Sequence, residues 1–73
     1  MNEQATDLLR LYLSAHSSMR ELQNKLKAVK AERRALESQI APLLSKNNVQ
    51  VVDVGKYRVY RYENRLVPYY LQQ

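Results

Sequence analysis

Apolar residues recur at alternating spacings of three and four along the first two-thirds of the chain. With Ala5 as heptad position a, the a series reads Ala5, Tyr12, Met19, Leu26, Arg33, Ile40 and the d series Leu8, Ala15, Leu22, Val29, Leu36, Leu43. Eleven of these twelve positions are apolar or aromatic, with no slip of phase. A narrow stripe repeating every 3.5 residues marks a helix that buries one seam against another helix. From Thr6 to Ser45 there is no glycine and the only proline is Pro42. The stretch is rich in Leu, Ala, Arg, Lys, Glu and Gln, which favours helix at nearly every position. The pattern predicts a coiled-coil helix over 5–46, with the seam from Leu8 to Leu43 as the candidate oligomer interface.

A monomer would leave most of that seam wet. Forty helical residues span roughly 60 Å, whereas strands of about six residues cover about 20 Å. The expected partner is a second copy or another protein's helix. In a parallel, in-register pair Lys25 would meet Lys30 of the other chain and Glu32 would meet Glu37, both like-charged, so an antiparallel or staggered pair, or a bundle, is favoured. Arg33, a charge inside the seam, lowers stability and restricts register. Leu9, Leu11, Leu13 and Leu44 lie outside the seam, so the helix is apolar nearly all round near residues 8–13 and is expected to meet more than one neighbour there. Ala28, Ala31 and Ala35 form a small-residue patch, read most simply as ordinary surface helix formers. Ser18-Met19-Arg20-Glu21 matches a capping box, which would begin a new helix after a bend at Ser14–Ser18. The heptad phase crosses that segment unbroken, so one helix is the preferred reading.

The pattern changes at Pro42, which lacks an amide hydrogen and is expected to kink or end the helix or to open a final short turn to Lys46. Asn47-Asn48 reads as a stop. Val49 to Val54 is rich in β-branched residues, Gly55 supplies a turn, and Tyr57 to Tyr62 alternate as a second strand. A second turn falls at Glu63–Arg65. Leu66 to Leu71 contains Pro68 and reads as an edge strand, with a short C-terminal turn as the alternative. The expected fold class is α+β: one domain over 1–73, with a long N-terminal coiled-coil helix followed by a small antiparallel β-hairpin or three-stranded meander at 49–71.

Composition narrows the chemistry. There is no cysteine, one histidine and one glycine in 73 residues. Disulfides, thiolate metal cages, nucleophile–base pairs and glycine-rich phosphate loops therefore cannot be assembled from one chain. His16, at position e, reads as a flanking polar residue. No catalytic residue, metal site, cofactor or small-molecule ligand is expected, and the chain is read as no enzyme. No apolar run approaches the roughly 20 residues of a membrane span, and Met1 to Asp7 is polar and acidic, which points to a soluble intracellular protein.

The formal net charge is +5, with eight cations and five anions in residues 1–47 and four and two in 48–73. Two surfaces would suit a polyanion. Arg20, Lys27 and Arg34 share position b with Lys30 beside them, a one-sided stripe about 20 Å long whose phosphate contacts would be salt-sensitive and indifferent to base sequence. The plainer reading is the solvated back of a coiled coil. On the second strand, period-2 alternation puts Tyr57, Val59 and Arg61 on one face and Arg58, Tyr60 and Tyr62 on the other. The latter face is a candidate for stacking bases and neutralising phosphates. Tyrosine also suits a protein interface, and one sheet face must cover the helix end.

The segment Ile40 to Leu71, "IAPLLSKNNVQVVDVGKYRVYRYENRLVPYYL", resembles the tail of small proteins encoded by large double-stranded DNA viruses: a basic helix, an Asn-rich stop, a strand, a Gly turn, an alternating strand, a basic turn and Leu-x-Pro. The resemblance implies a small virion- or DNA-associated protein and assigns no residue a role. The leading expectation is a non-enzymatic oligomerising interaction or assembly protein, extending to a virion structural component. The runner-up is a nucleic-acid-binding protein using the helix stripe with Lys56, Arg58, Arg61 and Arg65. The third is a small inhibitor or regulator docking its helix on a host enzyme.

Overall fold

A computed structural model describes residues Asn2–Gln72. It contains helix α1 (Glu3–Lys46) and strands β1 (Val51–Val54), β2 (Tyr57–Tyr62) and β3 (Arg65–Tyr70). The chain is therefore α+β, a long helix followed by a three-stranded antiparallel meander of order β1-β2-β3. By internal contacts it forms two units, Met1–Ala31 and Glu32–Gln73.

The first unit is helical from Glu3 onward, and the start of the helix is set by chemistry at Asn2. The Asn2 Oδ1 accepts the Ala5 backbone N–H at 2.7 Å, and the Asn2 carbonyl accepts the Thr6 N–H at 3.1 Å. Asn2 is thus the N-cap, satisfying a donor that has no intrahelical partner. The Ser18–Glu21 signature is not used as a cap, because α1 is already helical upstream and supplies carbonyl acceptors one turn back to those N–H groups. No bend into a helical hairpin occurs there.

The second unit holds the end of α1 and the sheet. The helix does not stop at Pro42 but continues to Lys46. The missing Pro42 N–H leaves the Ser38 carbonyl without its helical donor, while Ser38 Oγ donates to the Arg34 carbonyl at 3.1 Å. What ends α1 is Asn48, with φ of 58°. The Val49 N–H reaches the Leu44 carbonyl at 2.8 Å and the Asn48 N–H the Ser45 carbonyl at 3.1 Å, the paired bonds of a Schellman cap. Asn47 adds Nδ2 to the Leu43 carbonyl at 2.8 Å. These bonds stabilise the final turn enough to carry the helix past a residue that ordinarily breaks it. Pro42→Ala is expected to stabilise the fold by about 1–2 kcal/mol, by restoring one helical bond against the smaller unfolded-chain entropy that proline saves. Thermal unfolding checks this; a lower melting temperature would show that the pyrrolidine ring packs productively.

Two-residue turns set the sheet register. Gly55 has φ of 58° while Lys56 does not, the pattern of a type II′ turn with glycine first. It pairs Val54 with Tyr57, Asp53 with Arg58, Val52 with Val59 and Val51 with Tyr60. The second turn is Glu63-Asn64 alone; Arg65 already belongs to β3, opposite Tyr62. Glu63 takes φ of 55°, a left-handed conformation costing a non-glycine residue about 1–2 kcal/mol. Pro68 lies opposite Val59. Because the Leu71 N–H points inward to the Lys56 carbonyl at 2.7 Å, alternation turns positions 66, 68 and 70 outward, so Pro68 sits where its absent N–H would face the open edge. The outward Leu66 N–H is accepted by Glu37 Oε2 from α1 at 2.9 Å. The β3 edge is thereby blunted against further strand pairing.

Directly paired residues share a sheet face. Val52, Val59, Arg61, Leu66 and Pro68 lie on one side, which turns to the helix end; Asp53, Arg58, Tyr60, Tyr62 and Tyr69 lie on the other. Burial is scant. Ala41, 1% exposed, is the one fully buried residue among those described.

Candidate functional site

The seam is the most extensive surface. Leu8, Tyr12, Met19, Leu22, Leu26 and Val29 in the first unit are all exposed, Leu22 by 66% and Leu26 by 54%; Ala15 is exposed with them. In the second unit the covered side of α1 carries Glu37, Ala41 and Leu44, which are positions e, b and e. Leu36, Ile40 and Leu43, at a and d, remain open beside it. Leu9, Leu11 and Leu13 are exposed as well, so residues 8–13 form an apolar girdle interrupted by Arg10, whose Nη1 lies 3.9 Å from Asp7.

Within the second unit the seam opens into an apolar groove of about 330 Å³ between α1 and the sheet, lined by Arg33, Leu36, Glu37, Ile40, Val59, Leu66, Val67 and Pro68. Glu37 ties the wall together through Leu66. The heptad pattern placed Glu37 as a flanking charge; its bond to an edge strand 29 residues away could not be read from helical spacing.

The basic stripe Arg20, Lys27, Lys30 and Arg34 is exposed. Among the described residues the ion pairs are Arg10–Asp7 and Arg58–Asp53, so none of the stripe's cations is paired.

The Tyr/Arg face is more self-contained than its sequence suggests. Arg58 donates from Nε to Asp53 Oδ1 at 2.7 Å and from Nη2 to Oδ2 at 3.0 Å, a two-point grip between directly opposed residues. The hydrogen bond from Arg58 holds the Asp53 carboxyl below the usual carboxylate range, and the same bond, with a smaller contribution from the Tyr60 phenol, pushes Arg58 upward. Tyr60 stacks on Tyr62 with centroids 6.4 Å apart and meets Tyr69 edge-on at 5.3 Å. These rings, with Arg58 and Leu71, line a shallow depression. Tyr69 was missed because its membership depends on the β2–β3 register, which sets it opposite Arg58. Arg61, on the opposite face, donates from Nε to the Val49 carbonyl at 2.9 Å and from Nη1 to the Glu63 carbonyl at 3.4 Å. Its guanidinium clamps the base of the meander instead of standing free for a polyanion.

The Asp53–Arg58 pair predicts a pH dependence. A carboxyl whose folded pKa is depressed contributes stability above its unfolded value of about 3.9, and loses it as pH falls through the lower folded value. Acid below about pH 4 is expected to loosen the β1–β2 hairpin, and Asp53→Asn to remove that component. Carbon-detected titration of the Asp53 carboxyl, with tyrosine circular dichroism as the readout of the sheet, checks both.

Among the described residues no group of three His, Cys, Asp or Glu could hold a metal ion, and no helix is long and apolar enough to cross a membrane. Comparison of the chain with protein-family models, curated proteins and solved structures found no match in any of the three.

Proposed function

We propose that the protein is a non-enzymatic interaction module that self-associates through the α1 seam and serves in assembly. The observation that supports this reading is the imbalance of burial: among the described residues eighteen large apolar side chains are exposed and one small residue is buried. Covering the seam with a partner would contribute about 1.5–3 kcal/mol for each large side chain removed from water. The Tyr60–Tyr62–Tyr69 cluster suits a secondary protein contact, since its central ring is already engaged by both neighbours. Sedimentation equilibrium tests the reading: a mass above that of one chain at micromolar concentration is expected, and a stably helical monomer overturns it.

A second reading, nucleic-acid binding, draws on the unpaired stripe Arg20, Lys27, Lys30 and Arg34. Neutralising about four phosphates predicts a log–log salt slope near −3.6 on duplex DNA. A fluorescence-anisotropy salt titration checks it, and no binding at about 50 mM salt removes the reading.

A further inference from the structure

We infer that the occupant of the seam and of its apolar groove is the α1 helix of a second copy lying antiparallel, with residues 22–29 of that copy seated over Arg33, Leu36 and Ile40. This rests on the self-association just proposed and specifies its partner and direction.

Charge carries the orientation. Along the seam's flanks Lys25 and Lys30 are followed, in the same window, by Glu32 and Glu37. Two such windows laid parallel and in register bring like charges together; reversing one about its midpoint, near residue 31, lays the lysine half of each over the glutamate half of the other. All four are exposed or half-buried, and none has a salt-bridge partner within its own chain among the described residues. Glu37 gives one carboxylate oxygen to the Leu66 N–H, so its charge is held at the groove by the sheet, available to a lysine arriving from outside.

The groove supports the same alignment independently of charge. With facing residue numbers adding to about 62, Leu22, Leu26 and Val29 of the second copy fall opposite Ile40, Leu36 and Arg33, which line the groove. Val59, Leu66 and Pro68 form its far wall, so a helix placed there buries apolar surface against α1 and the sheet together. The glycine-free α1 keeps the heptad phase across this window, so both copies offer the same groove and the same occupant, as a two-fold pairing requires.

The absence of cysteine from the chain permits a clean test by single spin labels at Ser17→Cys and Asn24→Cys, both on the face away from the seam, measured by pulsed dipolar spectroscopy. In an antiparallel pair each residue of displacement changes the separation by about 3 Å, twice the helical rise, so moving the label by seven residues is expected to shorten it by about 20 Å. Equal separations at the two sites, as in a parallel in-register pair, would overturn the orientation while leaving self-association intact. A monomer mass by sedimentation would instead overturn the underlying reading and this inference with it. Lys30→Glu gives a second discrimination: it raises the dissociation constant about tenfold if Lys30 lies over the glutamate half of the second copy, Glu32 and Glu37, and lowers it if Lys30 faces Lys25. Tighter association of that variant would refute the antiparallel pairing.

Discussion

Leu26→Asp is expected to leave the protein monomeric and to lower its helical circular dichroism signal together with its mass. Leu26 is at the middle of the seam and about half exposed in the single chain, so its side chain contributes little to folding within one copy and about 2–3 kcal/mol per chain once covered by a partner. Aspartate forfeits that and must be desolvated as a charge if the seam still closes. With two copies affected, the dissociation constant rises on the order of a thousandfold or more. Helicity follows because most helical stability in proteins comes from packing an apolar face, not from intrinsic propensity. Asn24→Asp, two residues away on the outer face, is the control and is expected to change neither mass nor helicity. If Leu26→Asp retains the parent's mass, the interface is not the heptad seam, and the girdle Leu9, Leu11, Leu13 becomes the surface to examine.

Ala41→Glu is expected to release the sheet from the end of α1. Ala41 is 1% exposed; an isolated helix leaves an alanine methyl partly open, so its cover comes from the sheet side of the same unit. The Arg61 guanidinium, on the helix-facing side of the sheet, is already committed to the Val49 and Glu63 carbonyls. An uncompensated carboxylate in such a site costs about 3 kcal/mol or more, a large fraction of a small domain's total stability. Five of the six tyrosines, Tyr57, Tyr60, Tyr62, Tyr69 and Tyr70, lie in β2 and β3, so near-ultraviolet circular dichroism reports on the sheet almost alone. Loss of that signal with retained 222 nm helicity is the expected outcome. Ala35→Glu, on an exposed position of the same helix, is expected to fall within about 0.5 kcal/mol of the parent. An unchanged tyrosine signal in Ala41→Glu would mean that the meander holds together without the helix end beneath it.

The two experiments separate the two ways in which this chain buries surface. Leu26 concerns a face that a single copy leaves open; Ala41 concerns the little that a single copy closes. Pro68 and the Glu37–Leu66 bond blunt the β3 edge, so on that side the sheet offers few free backbone groups for strand pairing.

What could be read from the sequence alone was whatever is encoded within about one heptad. The seam from Leu8 to Leu43, the stop at Asn47-Asn48, the turn at Gly55 and the alternation from Tyr57 to Tyr62 are all local, because helical periodicity, cap chemistry and turn dihedrals involve residues within seven positions of one another. Even there local signals competed. The capping signature at Ser18–Glu21 lost to a helix already propagating through it, and Pro42 was outweighed by the Schellman bonds at Asn48 and Val49. The start at Glu3 was missed because Asn2 as an N-cap lacks the glutamate three residues on that makes a capping box conspicuous. Only the tertiary structure decided which face of the meander turns to the helix, and with it the roles of the charges: Arg58 gripped by Asp53, Arg61 clamped on backbone carbonyls, Glu37 held at the sheet edge by the Leu66 N–H. Those outcomes depend on strand register and on contacts 5 to 29 residues apart. A shift of register by one residue would exchange every side chain between faces, so no local pattern could have assigned them.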